Sequence, residues 1–503
     1  MSRAALLLGA LASGARALSG AAGVCGALTQ AGLNTALTSL IPVVENITET
    51  ITLPAIPIHE NFGVGDVSGT ISNVHATSVR IGTLSAAVDA DRLSVHAAGV
   101  SLTAAGTSAL DITIVFVHSH CNGPVTVSAS SASLDFSVAL SADAAGRAVL
   151  SAPDAVRVDL GGLDVHFGCG GFDGDLLNDV IKLFSSLLAS TVQATAQALV
   201  AAALADAQRL IDALPLALPL PLPAPFNDTA LRLGIVGQPA YRAGVALEAC
   251  VQGDAAPTSW PPGQPLPLAP PALPSVANAT GGARAAAALV SDYSAASLTW
   301  ALFSQTPRGL VLPPADVPPP LNETSGWALL APGLAAAFPG GGVGVAIAVV
   351  GTPAAVLNGT GATGDGHAAL GAALAVAVDV YDGAAIANAS VLVLDVNVSF
   401  LVDLGWPPGP DGFTNFSAAF HNVSTTAAVA SSAVGPVPGA ALVAALVADA
   451  INAILPAVNA ATARGFVFGI PGLFALANAD FAQSTNYLQL ATDVVLGPFA
   501  PPP

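Results

Sequence analysis

"LVSDYSAASLTWALF", residues 289–303, interrupts a chain built mostly of alanine, glycine, valine, leucine and proline. Tyr293, Ala296 or Ser297, Trp300 and Phe303 fall on one helical face, Ser291 stands where an N-cap belongs, and Asp292 lies in the first turn, where the helix dipole favours an anion. A proline-rich run, "PTSWPPGQPLPLAPPALP" (257–274), precedes it, and alternating apolar runs follow. The stretch therefore predicts the start of a domain.

Downstream, "GVGVAIAVVG", "AALAVAVDVYDG" and "ASVLVLDVNVSFLVDL" alternate with a period of two, as long antiparallel strands do. A long helix is predicted over 438–465, with Val443, Val447, Ile451 and Ile454 on its inward stripe, and closing strands follow. Upstream the same plan appears. Residues 25–48 carry Leu28, Leu33, Leu37, Leu40 and Ile41 at helical spacing, and residues 51–166 alternate in the manner of strands. A helix of over thirty residues begins near Asp173 or Asp175, with Leu177, Val180, Ile181, Phe184, Leu187 and Leu188 on one stripe. The two halves share an order of elements, which reads as an internal duplication. The expected layout is an N-terminal domain over 23–213, a proline-rich linker with a strand over 214–285, and a C-terminal domain over 286–503.

Composition narrows the class. Hydrophobic residues make up 53% and charged residues 9%, against about 25% charged in ordinary soluble domains, so the chain must hide apolar surface or carry it to something apolar. Arg3, the apolar run 4–12 and the small residues that follow form a secretory signal pattern over 1–22. Without it the balance is 11 basic against 32 acidic residues. Such a surface repels nucleic acid and anionic headgroups. The longest uncharged stretch, 324–364, holds three prolines and a Gly-Gly-Gly run, and is read as irregular structure and a strand rather than a bilayer helix. Sequons at Asn46, Asn227, Asn278, Asn322, Asn358, Asn388, Asn397, Asn415 and Asn422 fit a secreted, extracellular glycoprotein.

Enzyme signatures are missing: there is no G-x-S-x-G, H-E-x-x-H or Walker loop. "HSHC" (118–121) puts His118 and His120 on one strand face and Cys121 on the other, which disfavours a shared metal ion. No metal and no cofactor are expected.

With "GVCGALTQAGLNTAL", "PIHENFGVGDVSGTISNVHATSVRIG", "GGFDGDLLNDVIKLF", the Ser-Asp-Tyr after its proline linker, "LLAPGLAAAFPGG" and "GFVFGIPGLFALANADFAQSTNYLQLATDV", the chain resembles the family of bactericidal permeability-increasing protein, lipopolysaccharide-binding protein, phospholipid transfer protein and cholesteryl ester transfer protein. That resemblance implies an α+β fold: two tandem tubular barrels, each a long helix wrapped by a curved antiparallel sheet, joined by a central sheet into a boomerang. Each tube would hold the acyl chains of a phospholipid or other amphipathic lipid, taken up transiently from a membrane or lipoprotein surface, with the lipid as ligand.

The residues expected to face the tunnels are Leu37, Ile41, Leu177, Ile181, Phe184 and Leu188 in the first half, and Tyr293, Trp300, Val447 and Ile451 in the second. The family's disulfide, which ties a strand of the first barrel to its long-helix region, would fall on Cys121 and Cys169, leaving Cys25 with Cys250. The bactericidal members imply a basic tip for lipopolysaccharide; here the first half offers only Arg80, Arg92, Arg147, Arg157, Lys182 and Arg209, without a cluster. Neutral or zwitterionic lipid is the expectation, and recognition of a microbial glycolipid in innate defence is the alternative.

Overall fold

The computed structural model describes residues 22–38, 41–42, 45, 52–61, 65–114, 117–151, 156–168, 174–220, 228–261, 264–276, 284–304, 308–358, 366–405, 415–439, 441–442, 445, 452, 455–456, 459–460, 466–467, 469–470, 474–484 and 486–496.

The chain enters through β1 (Val24–Thr29) and a short helix, Gln30–Thr38. Leu28, read as part of that helix, lies instead in the strand. Its local spacing suits a helix, but β1 is flanked on both sides by partner strands distant in sequence, and their hydrogen bonds decide. Then come β2 (Ile56–Asn61), β3 (Gly65–Arg80), β4 (Thr83–Val88), β5 (Leu93–Ile114), β6 (Val117–Ala142), β7 (Ala148–Ser151), β8 (Arg157–Asp159) and β9 (Leu163–Phe167). These eight form one antiparallel sheet in the order β2-β3-β5-β6-β7, with β4 on β5 and with β8 and β9 on β6. The long helix Gly174–Asp212 follows.

The connecting region supplies β10 (Ala217–Pro219), β11 (Thr229–Arg232), β12 (Ala240–Arg242), β13 (Ala246–Val251) and β14 (Asp254–Pro257). The second half begins with β15 (Ala286–Ser291) and the helix Asp292–Leu302, then β16 (Leu310–Leu312). A 3-10 turn, Thr324–Trp327, and a short helix, Pro332–Ala337, form a cap before β17 (Gly342–Val349), β18 (Ala354–Asn358), β19 (Gly366–Asp382), β20 (Ala385–Gly405), β21 (Asn415–Ser432) and β22 (Phe466–Val467). β16 to β22 make the second sheet, ordered β16-β17-β19-β20-β21-β22 with β18 on β19. β23 (Gly469–Ile470), β24 (Phe474–Ser484) and β25 (Tyr487–Leu496) close the chain. A third sheet, β12-β13-β1-β15-β25-β24-β23, gathers strands from the beginning, middle and end of the sequence.

The fold is thus mixed, rich in sheet and poor in helix, with curled half-barrel sheets. Curling has a local cause. Register slips by bulges in β3 and β5 in the first sheet, and in β19, β20 and β24 elsewhere. Asn73, Asn422 and Asn478 sit at such slips with positive φ of 52 to 54°, a conformation asparagine tolerates better than most residues. Each bulge bends its strand and adds twist.

Candidate functional site

In the first half, the candidate site is the interior between the sheet and the long helix. Among the described residues the helix buries Leu188, Val200, Ala207 and Ile211. Leu188 packs with Ile56, Ile58, Val67 and Phe167, while Ile211 packs with Leu28, Leu37, Leu140 and Ala148 nearer the third sheet. Those two anchor points are 23 residues apart, about 35 Å along a helix axis. From 183 to 205 the helix has no charged residue. Ser186–Arg209 is long and apolar enough to cross a membrane by length and composition, with a mean hydropathy of 1.5 and only 11% of the window buried. Leu199 faces outward, 38% exposed.

What pins so apolar a helix to the sheet is polar. Gln193 accepts from Val158 N at 2.8 Å and donates to Val156 O; Gln208 accepts from Leu150 N and donates to Ala148 O, both at 2.8 Å. Each amide mimics a neighbouring strand on an open edge, satisfying two backbone groups. Gln30 does the same to Val88 N and Ala86 O, and Asn459 to Phe420 N and O in the second half. These four amides were not foreseen. The signal was present in the sequence as isolated Gln or Asn in alanine-rich helices, but nothing local says which strand they meet.

Among the expected lipid-facing residues, Leu37 and Leu188 are buried, and Ile41 is helical and half-buried. Leu177, Ile181 and Phe184 lie on the long helix, with side chains outside the described residues. Val443, Val447, Ile451 and Ile454 also lie outside them. Described positions along this stretch, among them Leu442, Asn452 and Asn459, are helical.

Tyr293 and Trp300, expected to face the second tunnel, share a core with Ala255, Leu266 and Leu268, residues of β14 and the proline-rich segment, and Val349 of β17 packs against it. Trp300 meets Trp260 edge to face at 5.1 Å, and Tyr293 donates to Asp254 Oδ2 at 2.8 Å. Asp254 in turn receives Arg232 Nε at 2.8 Å and Nη2 at 2.6 Å, an ion pair almost wholly buried. Burial, then the charge of Asp254, pushes the Tyr293 hydroxyl far above its ordinary range, so it remains a donor. The physical reason is satisfaction: a buried carboxylate between two strands recruits both neighbours.

Ser291 also departs from its expected role. It holds the N-cap position, but its hydroxyl donates to Gly23 O at 2.9 Å, not to the helix. Ser291 N and Ser294 Oγ bind the same carbonyl at 2.8 and 3.2 Å. A side chain at Gly23 would put Cβ 2.4 Å from Gln252 O and 2.7 Å from Ser294 Oγ, so only glycine fits this socket. Asp292 does lie in the first turn, but burial raises its pKa and outweighs the backbone N–H groups that lower it.

Cys25 and Cys250 sit opposite each other on β1 and β13 and form a disulfide. Cys121 is disulfide-bonded and buried; Cys169 lies outside the described residues. Asn388, Asn397 and Asn422 are exposed, and Asn322 is half-buried. The side chains of Asn358 and Asn415 lie outside the described residues, as do Asn46, Asn227 and Asn278 altogether. Among the described residues no group of three or more His, Cys, Asp or Glu could hold a metal ion.

No curated protein matches the chain. Among solved structures it is similar to lipopolysaccharide binding protein, at 19% identity and a TM-score of 0.55, over 95% of this chain and 99% of that one. That likeness speaks to the fold. P47 of Clostridium botulinum E1 (7% identity, TM-score 0.23, 94% and 99% covered) and Epiphyas postvittana Takeout 1 (14%, 0.20, 37% and 91%) align at scores too low to guide interpretation. The family model for the C-terminal domain of LBP / BPI / CETP matches residues 250–496, from within β13 to the end of β25. Residues 250–496 belong to the C-terminal domain of the LBP / BPI / CETP family.

Proposed function

We propose that this protein is a secreted lipid carrier that holds acyl chains in the apolar interiors of its two halves and exchanges them with membrane or lipoprotein surfaces. Family membership supports lipid binding or transfer. One observation carries the reading further: the long helix is apolar over 183–205 yet lightly covered by protein, and is attached to strand edges by amides rather than sealed against the sheet. Such a wall can receive an acyl chain without first losing a core. Each methylene moved out of water is worth about 0.8 kcal/mol, so a sixteen-carbon chain gains on the order of 12 kcal/mol. Because apolar contact is nondirectional, selectivity among chains is loose.

In this reading the N-terminal half spans 23–213, the linker 214–285 and the C-terminal half 286–503, and the two tubes make a boomerang about the third sheet. Leu37, Ile41, Leu177, Ile181, Phe184 and Leu188 border the first lipid site, and Val447 and Ile451 the second. Residues 1–22 are a cleaved signal and the exposed sequons carry glycans, which would keep so apolar a chain soluble.

Recognition of lipopolysaccharide is the second reading, favoured by the likeness to lipopolysaccharide binding protein. Charge argues against it. Arg92 pairs with Asp91, Arg209 with Asp206, and Arg147 with the carbonyls of Asp212 and Leu214, which leaves no basic cluster for phosphates among the described residues. Organic extraction of the purified protein with mass spectrometry tests both. Neutral or zwitterionic lipid supports the carrier, glycolipid supports defence, and an empty extract together with no movement of labelled phospholipid between vesicles rejects both.

A further inference from the structure

The cap at the start of the second sheet holds the most exposed large apolar side chain among the described residues, Leu329, at 85%. It is not part of a loose loop. Trp327 and Leu330, on either side, are each 4% exposed. Trp327 Nε1 donates to Leu321 O at 2.8 Å, Thr324 Oγ1 to Phe338 O at 2.6 Å, and Ala331 N to Trp327 O at 2.7 Å. The short helix Pro332–Ala337 is pressed against the segment after β21, where a Cβ on Gly333 would lie 1.7 Å from Val434 O. A rigid turn thus presents a leucine to solvent.

A second exposed leucine follows a contact with the cap: Gly439 N donates to Leu330 O at 3.3 Å, and Leu442, three residues on in sequence, is 50% exposed. The charges beside the cap are acidic: Glu323 precedes the turn and bridges Gly342, and Asp382 follows Tyr381, the partner of Gly342, both exposed. Residues 324–364 and 433–448 carry no charge, and Arg308 is bound to both oxygens of the buried Asp379.

Position completes the picture. The other end of the second sheet packs on the third sheet, where Leu357, Ala368 and Val402 meet Leu488. Ala368 and Tyr381, whose partner Gly342 adjoins the cap, are 13 residues apart along β19, or about 40 Å of extended chain. The cap is therefore the end of this half farthest from the third sheet, free to meet a surface.

We propose that Leu329 and Leu442 form an anchor that seats this end shallowly in a zwitterionic lipid surface. The proposal rests on the lipid-carrier reading and names where the carrier docks. Zwitterionic lipid is the occupant because the anchor offers no cation to an anionic headgroup, and the chain as a whole, at −19, is repelled by one. Asn388, exposed near the same end on β20, limits depth: a glycan there stays in water.

The test is binding of the full-length protein to phosphatidylcholine vesicles, by flotation, with and without phosphatidylserine. Wild type binds phosphatidylcholine, insensitively to salt and without gain from phosphatidylserine. L329D and L442D each lower partitioning about tenfold, while L329W retains it. Thermal unfolding of L329D matches wild type, because the side chain is exposed. Unchanged binding by both aspartate variants overturns the anchor, as does binding that requires phosphatidylserine. So does an L329D that converts a dimer to monomer in sedimentation velocity without affecting vesicles, since the face would then belong to a second copy. Lipid extracted from the same preparations separates this from the carrier reading: L329D keeps its lipid, whereas an empty wild-type extract fails the carrier and leaves the vesicle result to stand alone.

Discussion

The two halves solve the same packing problem with different degrees of closure. In the second, Trp327, Leu330 and Leu334 of the cap fill the end of the sheet and join a core with Val343, Leu392 and Leu394. In the first, the described part of the long helix meets the sheet through Leu188, with Leu187 and Val192 beside it, and through two glutamines, and only 11% of its apolar window is buried. Outer faces differ too. The first sheet carries six of the eight histidines, all exposed, with pairs such as His96 and Asp135 at 2.5 Å, whereas the second presents the exposed sequons Asn388, Asn397 and Asn422. Both halves bury a hydrophobic core; the first adds an apolar helix wall that protein covers only lightly.

The contrast can be broken first at its strongest point. Trp327→Ala should destabilise the second half by about 3–5 kcal/mol, read by denaturant unfolding, while Leu188→Ala in the first should cost about 2 kcal/mol, because the lightly covered helix that carries it can settle into the space left. Equal costs would remove the distinction. Next, Cys25→Ser with Cys250→Ser should cost about 2–5 kcal/mol and split unfolding into two transitions, since that bond ties β1 to β13 across 225 residues. A single transition would mean that the third sheet alone couples the halves. Leu199→Asp should change stability by less than about 0.5 kcal/mol yet lower lipid content several-fold, measured by extraction; unchanged content would place the lipid elsewhere. The smallest effect belongs to Asp292 at the junction. Its folded pKa is raised by burial, so stability falls as pH rises from the unfolded pKa through the folded one. Asp292→Asn should therefore stabilise slightly at neutral pH and not at all in acid, as thermal melts at the two pH values will show.

Much of the architecture was legible. Two-residue alternation marked the long strands, and the stripe from Leu177 to Leu188 marked the helix that spans Gly174–Asp212, because these signals are local. What escaped was decided by partners far along the chain. Leu28 fits a helix until β13 and β15 claim its backbone; Tyr293 fits a tunnel wall until Asp254 claims its hydroxyl; and Ser291 fits a cap until Gly23 claims it. The candidate site was legible in kind, as an apolar wall, and not in detail, because Gln193 and Gln208 act on edges that exist only after folding.

The place of β1 also sets a clock. It is made first, yet its neighbours in the third sheet, β13 and β15, begin 222 and 262 residues later, at Ala246 and Ala286. At about 5–20 residues per second of synthesis, the strand waits on the order of 10–50 s with its backbone unpaired and Cys25 without its mate. Whatever shields it in that interval, a chaperone or an early fold of the first sheet, governs how much of the chain reaches its native form.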